Sequence, residues 1–194
     1  HLTAVAAGEG EAARVLDPAV AALQEALGPS VYSTDDQAME VVVGGLLLRH
    51  TMTIAVAESC SGGLLASRLT DVPGSSAYFD RGVVCYSNAA KIEWLDVPPA
   101  LIDAHGAVSE PVAQAMAEGV RTRARSSVGV GITGIAGPGG GTPAKPVGTV
   151  AIAVVTPDAS RVRTFRFVGA RDMVKFQSTQ AAMKMLHLLL LDRP

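Results

Sequence analysis

Cysteine is scarce: Cys60 and Cys85 are the two in 194 residues, too few for a disulfide framework. With no basic-plus-apolar leader at the N-terminus, a reducing cytoplasm is the expected location. Long apolar runs are lacking too. The longest, Val41 to Leu48 and Leu188 to Leu191, fall far short of the ~20 residues that cross a bilayer, so both are read as core segments. No sign of charge dominates: 16 basic and 18 acidic residues are scattered along the chain, for a net charge of -2. That balance excludes polyelectrolyte attraction to DNA, RNA or an anionic membrane, and any phosphate bound should be small and local. The histidines, His1, His50, His105 and His187, are dispersed, so no Cys–His pair, Ser–His–Asp triad or metal-ligand spacing is indicated.

What is present is apolar. Hydrophobic residues make up 48% of the chain and charged ones 18%, which excludes the disordered class and supplies one core. The chain starts at His1 rather than Met, as a trimmed chain or a fragment of a longer polypeptide would.

Apolar residues at helical spacing predict a helix over Glu9 to Leu27, with Asp17-Pro18 placed as cap and first helical residue and Gly28-Pro29 as terminator. Thr34-Asp35-Asp36 offers capping oxygens to a second amphipathic helix reaching Arg49. Thr53 to Ala57 is a short buried strand, Glu58 to Gly63 a strand-to-helix junction, and Leu64 to Leu69 a helix. Arg81 to Tyr86 reads as a strand and Ala89 to Leu95 as a short helix. Ser109-Glu110-Pro111 caps a helix to about Arg125. Val128 to Ile132 is a strand, Thr133 to Pro146 a glycine- and proline-rich loop, Val147 to Thr156 and Val162 to Val168 a strand pair, and Met173 to Leu191 the last helix. Strands separated by helices, followed by adjacent strands, predict an α/β fold: a three-layer α/β/α sandwich with a mixed sheet.

Glu58-Ser59-Cys60-Ser61-Gly62-Gly63 places a hydroxyl at the C-terminal edge of a strand, where open α/β sheets bind ligands, and backbone N–H groups at a helix start that suits an anion. The same serines could simply cap the helix. A serine without histidine needs another base, and a lysine serves if burial lowers its pKa. Lys91 follows the second strand and is the candidate; its plainer reading is a surface lysine. The Thr133 to Gly141 loop lets a ligand approach the backbone, or is a flexible turn; no Gly-Lys-Ser/Thr follows to make it a P-loop.

The segments Ala57 to Gly63, Val72 to Phe79, Tyr86 to Lys91, Gly106 to Ser109 and Thr133 to Pro138, in that order, resemble the CinA C-terminal, or nicotinamide mononucleotide deamidase, family. The family usually has threonine where Ser61 stands. The resemblance divides the chain into residues 1–34, similar to the tail of a preceding linking domain, and 35–194, the deamidase-like domain. It implies hydrolysis of nicotinamide mononucleotide to nicotinate mononucleotide and ammonia, a step of pyridine nucleotide salvage, with no cofactor or metal. It makes Ser59 the nucleophile, Lys91 the base and Tyr86 the residue that orients them. Glu58, Cys60, Ser61, Gly62, Gly63, Thr133, Gly134, Gly137 and Arg171 become the substrate-binding set. Backbone amides of Ser61, Gly62 and Gly63 are the expected oxyanion donors, and Arg171 either pairs with the phosphate or merely starts a helix. A nucleotide-binding regulatory module without turnover is the competing function, a DNA-contacting competence or damage partner is disfavoured by charge, and exposed apolar helix faces suggest a homodimer.

Overall fold

The computed structural model describes residues 2–192. Five strands form one sheet: β1 (Ile54–Glu58), β2 (Phe79–Val84), β3 (Val128–Gly134), β4 (Thr149–Val155) and β5 (Ser160–Arg166). Their spatial order is β2-β1-β3-β4-β5. β1 is parallel to β2 and β3, whereas β3–β4 and β4–β5 are antiparallel, so the sheet is mixed. Among the described residues seven α-helices accompany it: α1 (Glu9–Leu27), α2 (Met39–Arg49), α3 (Leu64–Thr70), α4 (Asn88–Leu95), α5 (Pro99–His105), α6 (Glu110–Ala124) and α7 (Arg171–Leu191).

Side-chain alternation sorts these helices into two layers. Ile54 and Val56 point with Val130, Ile132 and Ile152 into a core shared with α2, α3 and α7. Ala55 and Ala57 face the opposite side, against Leu95, Val112, Met116 and Val120 of α4 and α6. The second face is lined by small residues for a steric reason. A Cβ on Gly129 would lie 2.1 Å from the Ala117 carbonyl oxygen, and one on Gly131 2.2 Å from that of Ala113. β3 therefore alternates valine or isoleucine toward one layer with glycine toward α6, whose backbone rests directly on the sheet.

Several boundaries differ from the sequence expectations. Pro18 does not start a helix: α1 runs unbroken through it, and none of its residues is buried. On an exposed helix, water can satisfy the carbonyl that proline leaves without its usual N–H donor. Thr34 to Asp36 do not cap α2, which begins at Met39 with Ala38 as its uncapped N-cap. Instead the Ser33 hydroxyl accepts the amides of Asp35 and Gln37, and Asp36 sits at a left-handed φ of 56°, a local turn ahead of the helix. Ser109 is the N-cap of α6, but its hydroxyl donates to the Gly106 carbonyl rather than accepting a helix amide. β2 starts and ends two residues earlier than expected, so Cys85 and Tyr86 follow it, with the Cys85 amide still donating to the Glu58 carbonyl of β1. Helix α5 was not anticipated; it has Pro99 at its first turn and Ile102 as its single buried residue.

Candidate active site

The C-terminal ends of the three parallel strands meet at one edge of the sheet, the position where open α/β sheets hold ligands. Ser59 follows β1, the Cys85–Tyr86 peptide follows β2, and Thr133 and Gly134 close β3. Beyond β2, the Ser87 hydroxyl accepts the Ala90 amide at 3.0 Å and starts α4, which turns Lys91 inward. A cavity of about 280 Å³ lies over this edge, lined among others by Ser59, Lys91, Asn88, Thr133, Gly137 and Arg171. Larger grooves lie beside Tyr32 and Arg49, about 620 Å³, and beside Trp94 and Arg123, about 640 Å³. Neither contains a serine beside a buried lysine.

Lys91 is 1% exposed and its Nζ lies 3.2 Å from Ser59 Oγ. The same nitrogen donates to the Cys85 carbonyl at 2.9 Å and to the Tyr86 carbonyl at 3.4 Å. Burial pushes its pKa below the usual lysine value, since an ammonium there has lost water and meets no carboxylate. A neutral amine has two N–H bonds and one lone pair. The two carbonyls use the N–H bonds, and the lone pair remains for the Ser59 hydroxyl, the arrangement a general base requires.

Glu58, expected among the substrate-binding residues, is turned away from the cavity. It is 1% exposed, and its carboxylate accepts the amides of Gly63 at 3.1 Å, Leu65 at 3.0 Å and Ala66 at 2.8 Å. The N-terminus of α3 is thus capped by the residue before the serine, and neither Ser59 nor Ser61 caps it. This corrects the expected oxyanion donors: Gly63 is committed to Glu58, and the Gly62 amide donates to the Ser59 carbonyl. The Cys60 amide lies against its own thiol and the Ser61 amide donates to no other described residue, which leaves the Ser61 amide as the unspent donor after Ser59.

The remaining expected residues divide in the same way. Cys60 lines the cavity, but burial pushes its thiol up to about 12, so it is not a thiolate. Ser61 is fully buried, with a hydroxyl that has no hydrogen-bond partner and does not line the cavity. Gly62 and Gly63 carry the chain through left-handed φ values of 64° and 91° and also stay outside the lining. The Thr133 hydroxyl donates to the Ala107 carbonyl at 2.9 Å, which ties β3 to the segment ahead of α6. Gly134 lines the floor, where a Cβ would lie 2.9 Å from Cys60 Sγ.

The Tyr86 phenol makes no hydrogen bond to Ser59 or Lys91, although all three line the cavity. The Tyr86 carbonyl holds Lys91, while the phenol accepts from Arg171 Nη2 at 2.8 Å. Arg171, the first residue of α7, also donates through Nη1 to the Gly137 carbonyl at 2.7 Å. Both acceptors are neutral, so the guanidinium brings an unneutralised positive charge to the cavity wall. Sequence reasoning missed Asn88, which lines the cavity. It stands three residues before Lys91, and that helical spacing was the available signal. Among the described residues no group of three or more His, Cys, Asp or Glu side chains is placed to hold a metal ion. Nor is any helix long and apolar enough to cross a membrane.

The sequence profile of the CinA C-terminal domain matches residues 36–190. The chain belongs to the CinA C-terminal domain family. Among its CinA relatives is a "Putative competence-damage inducible protein" of Moorella thermoacetica, 49% identical over 187 residues, which cover 96% of this chain and 45% of the relative. A "CinA-like protein" of Chlorobaculum tepidum is 54% identical over 170 residues, covering 85% and 40%. The chain thus spans less than half the length of these relatives. The crystal structure of the competence/damage inducible protein CihA from Agrobacterium tumefaciens superposes with a TM-score of 0.77 at 36% identity, covering 79% of this chain and 94% of that one. A CinA superfamily protein from Klebsiella pneumoniae gives 0.77 at 33% identity, covering 81% and 100%.

Proposed function

We propose that this CinA domain is an amidohydrolase that converts nicotinamide mononucleotide to nicotinate mononucleotide and ammonia through a serine–lysine mechanism. The observation that carries the reading is the buried Lys91 amine 3.2 Å from Ser59 Oγ, with two carbonyls on its other side.

Ser59 Oγ attacks the carboxamide carbon as its proton passes to Lys91 Nζ, and the carbonyl π electrons move onto oxygen. The Ser61 amide, and the Cys60 amide if it turns from its own thiol, are the donors available to that oxyanion, each worth about 3 kcal/mol of barrier in comparable sites. Collapse of the tetrahedral adduct breaks the C–N bond, and Lys91 returns its proton to nitrogen, releasing ammonia. Water then adds to the acyl-serine, giving a proton to Lys91. Cleavage of the C–O bond with return of that proton to Ser59 leaves nicotinate mononucleotide. The scheme consumes one water and changes no oxidation state. The Arg171 guanidinium, unneutralised at the cavity wall, supplies the positive charge that a nucleotide phosphate needs.

The test is ammonia release from nicotinamide mononucleotide by the purified protein and by Ser59→Ala and Lys91→Ala. Turnover by the wild type alone is the expected result. Full activity in Ser59→Ala would remove the nucleophile, and nucleotide binding without ammonia from the wild type would select the regulatory module instead.

A further inference from the structure

Helix α7 contributes a second cation that neither the family resemblance nor the cavity lining identifies. Lys175 stands one helical turn beyond Arg171, a spacing that puts both side chains on the same face. Its ammonium reaches the turn after Ser59: a Cβ built on Gly62 would sit 3.5 Å from Lys175 Nζ. Lys175 makes no hydrogen bond or ion pair to any described residue. The helix amides nearest to it are unavailable to a ligand, because Glu58 holds those of Gly63, Leu65 and Ala66.

The ground between the two cations is open. Gly63 lies against Val84, where a Cβ would meet Val84 Cγ2 at 3.5 Å, and Val84 is 52% exposed. Two residues on, Tyr86 is 61% exposed with its phenol on Arg171. Gly62, Val84 and Tyr86 thus form an exposed rim beside the cavity, with an unneutralised ammonium at one end and an unneutralised guanidinium at the other. A single fixed cation neutralises part of a phosphate dianion; two of them, one a fork and one a point charge, match both its charge and its several oxygens.

We infer that Lys175 and Arg171 together form a two-cation clamp for the phosphate of the nucleotide substrate, seated on the Gly62–Val84–Tyr86 rim. The inference rests on the nucleotide amidase reading, and it makes Lys175 a specificity-determining residue outside the chemical step. It predicts that the protein separates nucleotides from nucleosides mainly through these two side chains.

Binding calorimetry with nicotinamide mononucleotide and with its dephosphorylated nucleoside tests the clamp without requiring turnover. Lys175→Met should weaken mononucleotide binding about tenfold and leave nucleoside binding within twofold, and Lys175→Arg should restore most of the loss. Ammonia release should show the same tenfold change in KM, with kcat within twofold. Equal losses for both ligands would overturn the clamp and assign Lys175 to balancing the Glu58 charge. Unchanged mononucleotide binding in a folded Lys175→Met, or no binding by the wild type, would also overturn it. Selective loss of binding in a wild type that releases no ammonia would uphold the clamp and refute the amidase reading.

Discussion

The turn after β1 and the loop after β3 leave neighbouring parallel strands at the same edge of the sheet, and they use their backbones in opposite ways. The β1 turn is closed largely by its own atoms, with the Ser59 amide anchored on the Ile132 carbonyl of β3. Glu58 caps α3, the Ser59 carbonyl takes the Gly62 amide, and the strand behind it is buried throughout. The β3 loop is held from outside, by a guanidinium 34 residues further along the chain on its Gly137 carbonyl. A turn closed on itself keeps a nucleophile and its donors in fixed geometry, as preorganised catalysis requires. A loop pinned by a distant charged side chain suits binding, because the pin itself can contact the ligand.

Changes at the β1 turn should therefore fall on chemistry, and changes at the β3 loop on affinity. The largest expected effect is in Ser59→Ala and Lys91→Met, each lowering kcat by about a thousandfold or more while nucleotide affinity stays within a few-fold. Steady-state ammonia release and calorimetry separate the two quantities. Comparable losses in affinity would break the comparison.

The second effect concerns stability. Glu58→Ala leaves three amides near the nucleophile without their acceptor and should cost about 3 kcal/mol in urea unfolding. Glu58→Gln, which keeps one oxygen, should cost less. If Glu58→Ala were as stable as the wild type, the turn would not be closed by its own carboxylate.

A smaller effect belongs to the loop. Arg171→Met should raise KM about tenfold, or about 1.4 kcal/mol, with kcat nearly unchanged. The pH profile sharpens the other side of the comparison. In the proposed mechanism Lys91 acts as the neutral amine, and burial holds its pKa below the usual 10.5, so kcat/KM should rise with pH and level off below that value. Arg171→Met should leave the midpoint in place. A rate that fell as Lys91 lost its proton would contradict its role as base.

Both layers and all five strands were legible: β1, β3 and β4 are buried apolar runs, while the edge strands β2 and β5 mix polar with apolar or β-branched residues between turn residues. The Val-Gly-Val-Gly-Ile stretch of β3 carries that signal in compressed form, its glycines marking where α6 lies on the sheet. Helix α5 escaped because seven residues with one buried side chain give no period to read. At the site, Ser59 and Lys91 were nameable from residue type, position and family resemblance. The Cys85 carbonyl that holds Lys91 was not, because every residue has a carbonyl and only the fold decides where it points. Glu58 and Tyr86 were named for substrate and for the catalytic pair. The structure directs their side chains to a helix N-terminus and to Arg171, contacts that depend on tertiary approach.

The central claim is that Ser59 forms a covalent acyl intermediate with Lys91 as its base. Rapid quenching during turnover of nicotinamide mononucleotide, followed by peptide mass spectrometry, tests it most directly. The account predicts an adduct equal to substrate minus ammonia on the peptide bearing Ser59, absent in Ser59→Ala. An adduct on another residue, or ammonia release persisting in Ser59→Ala, would contradict it.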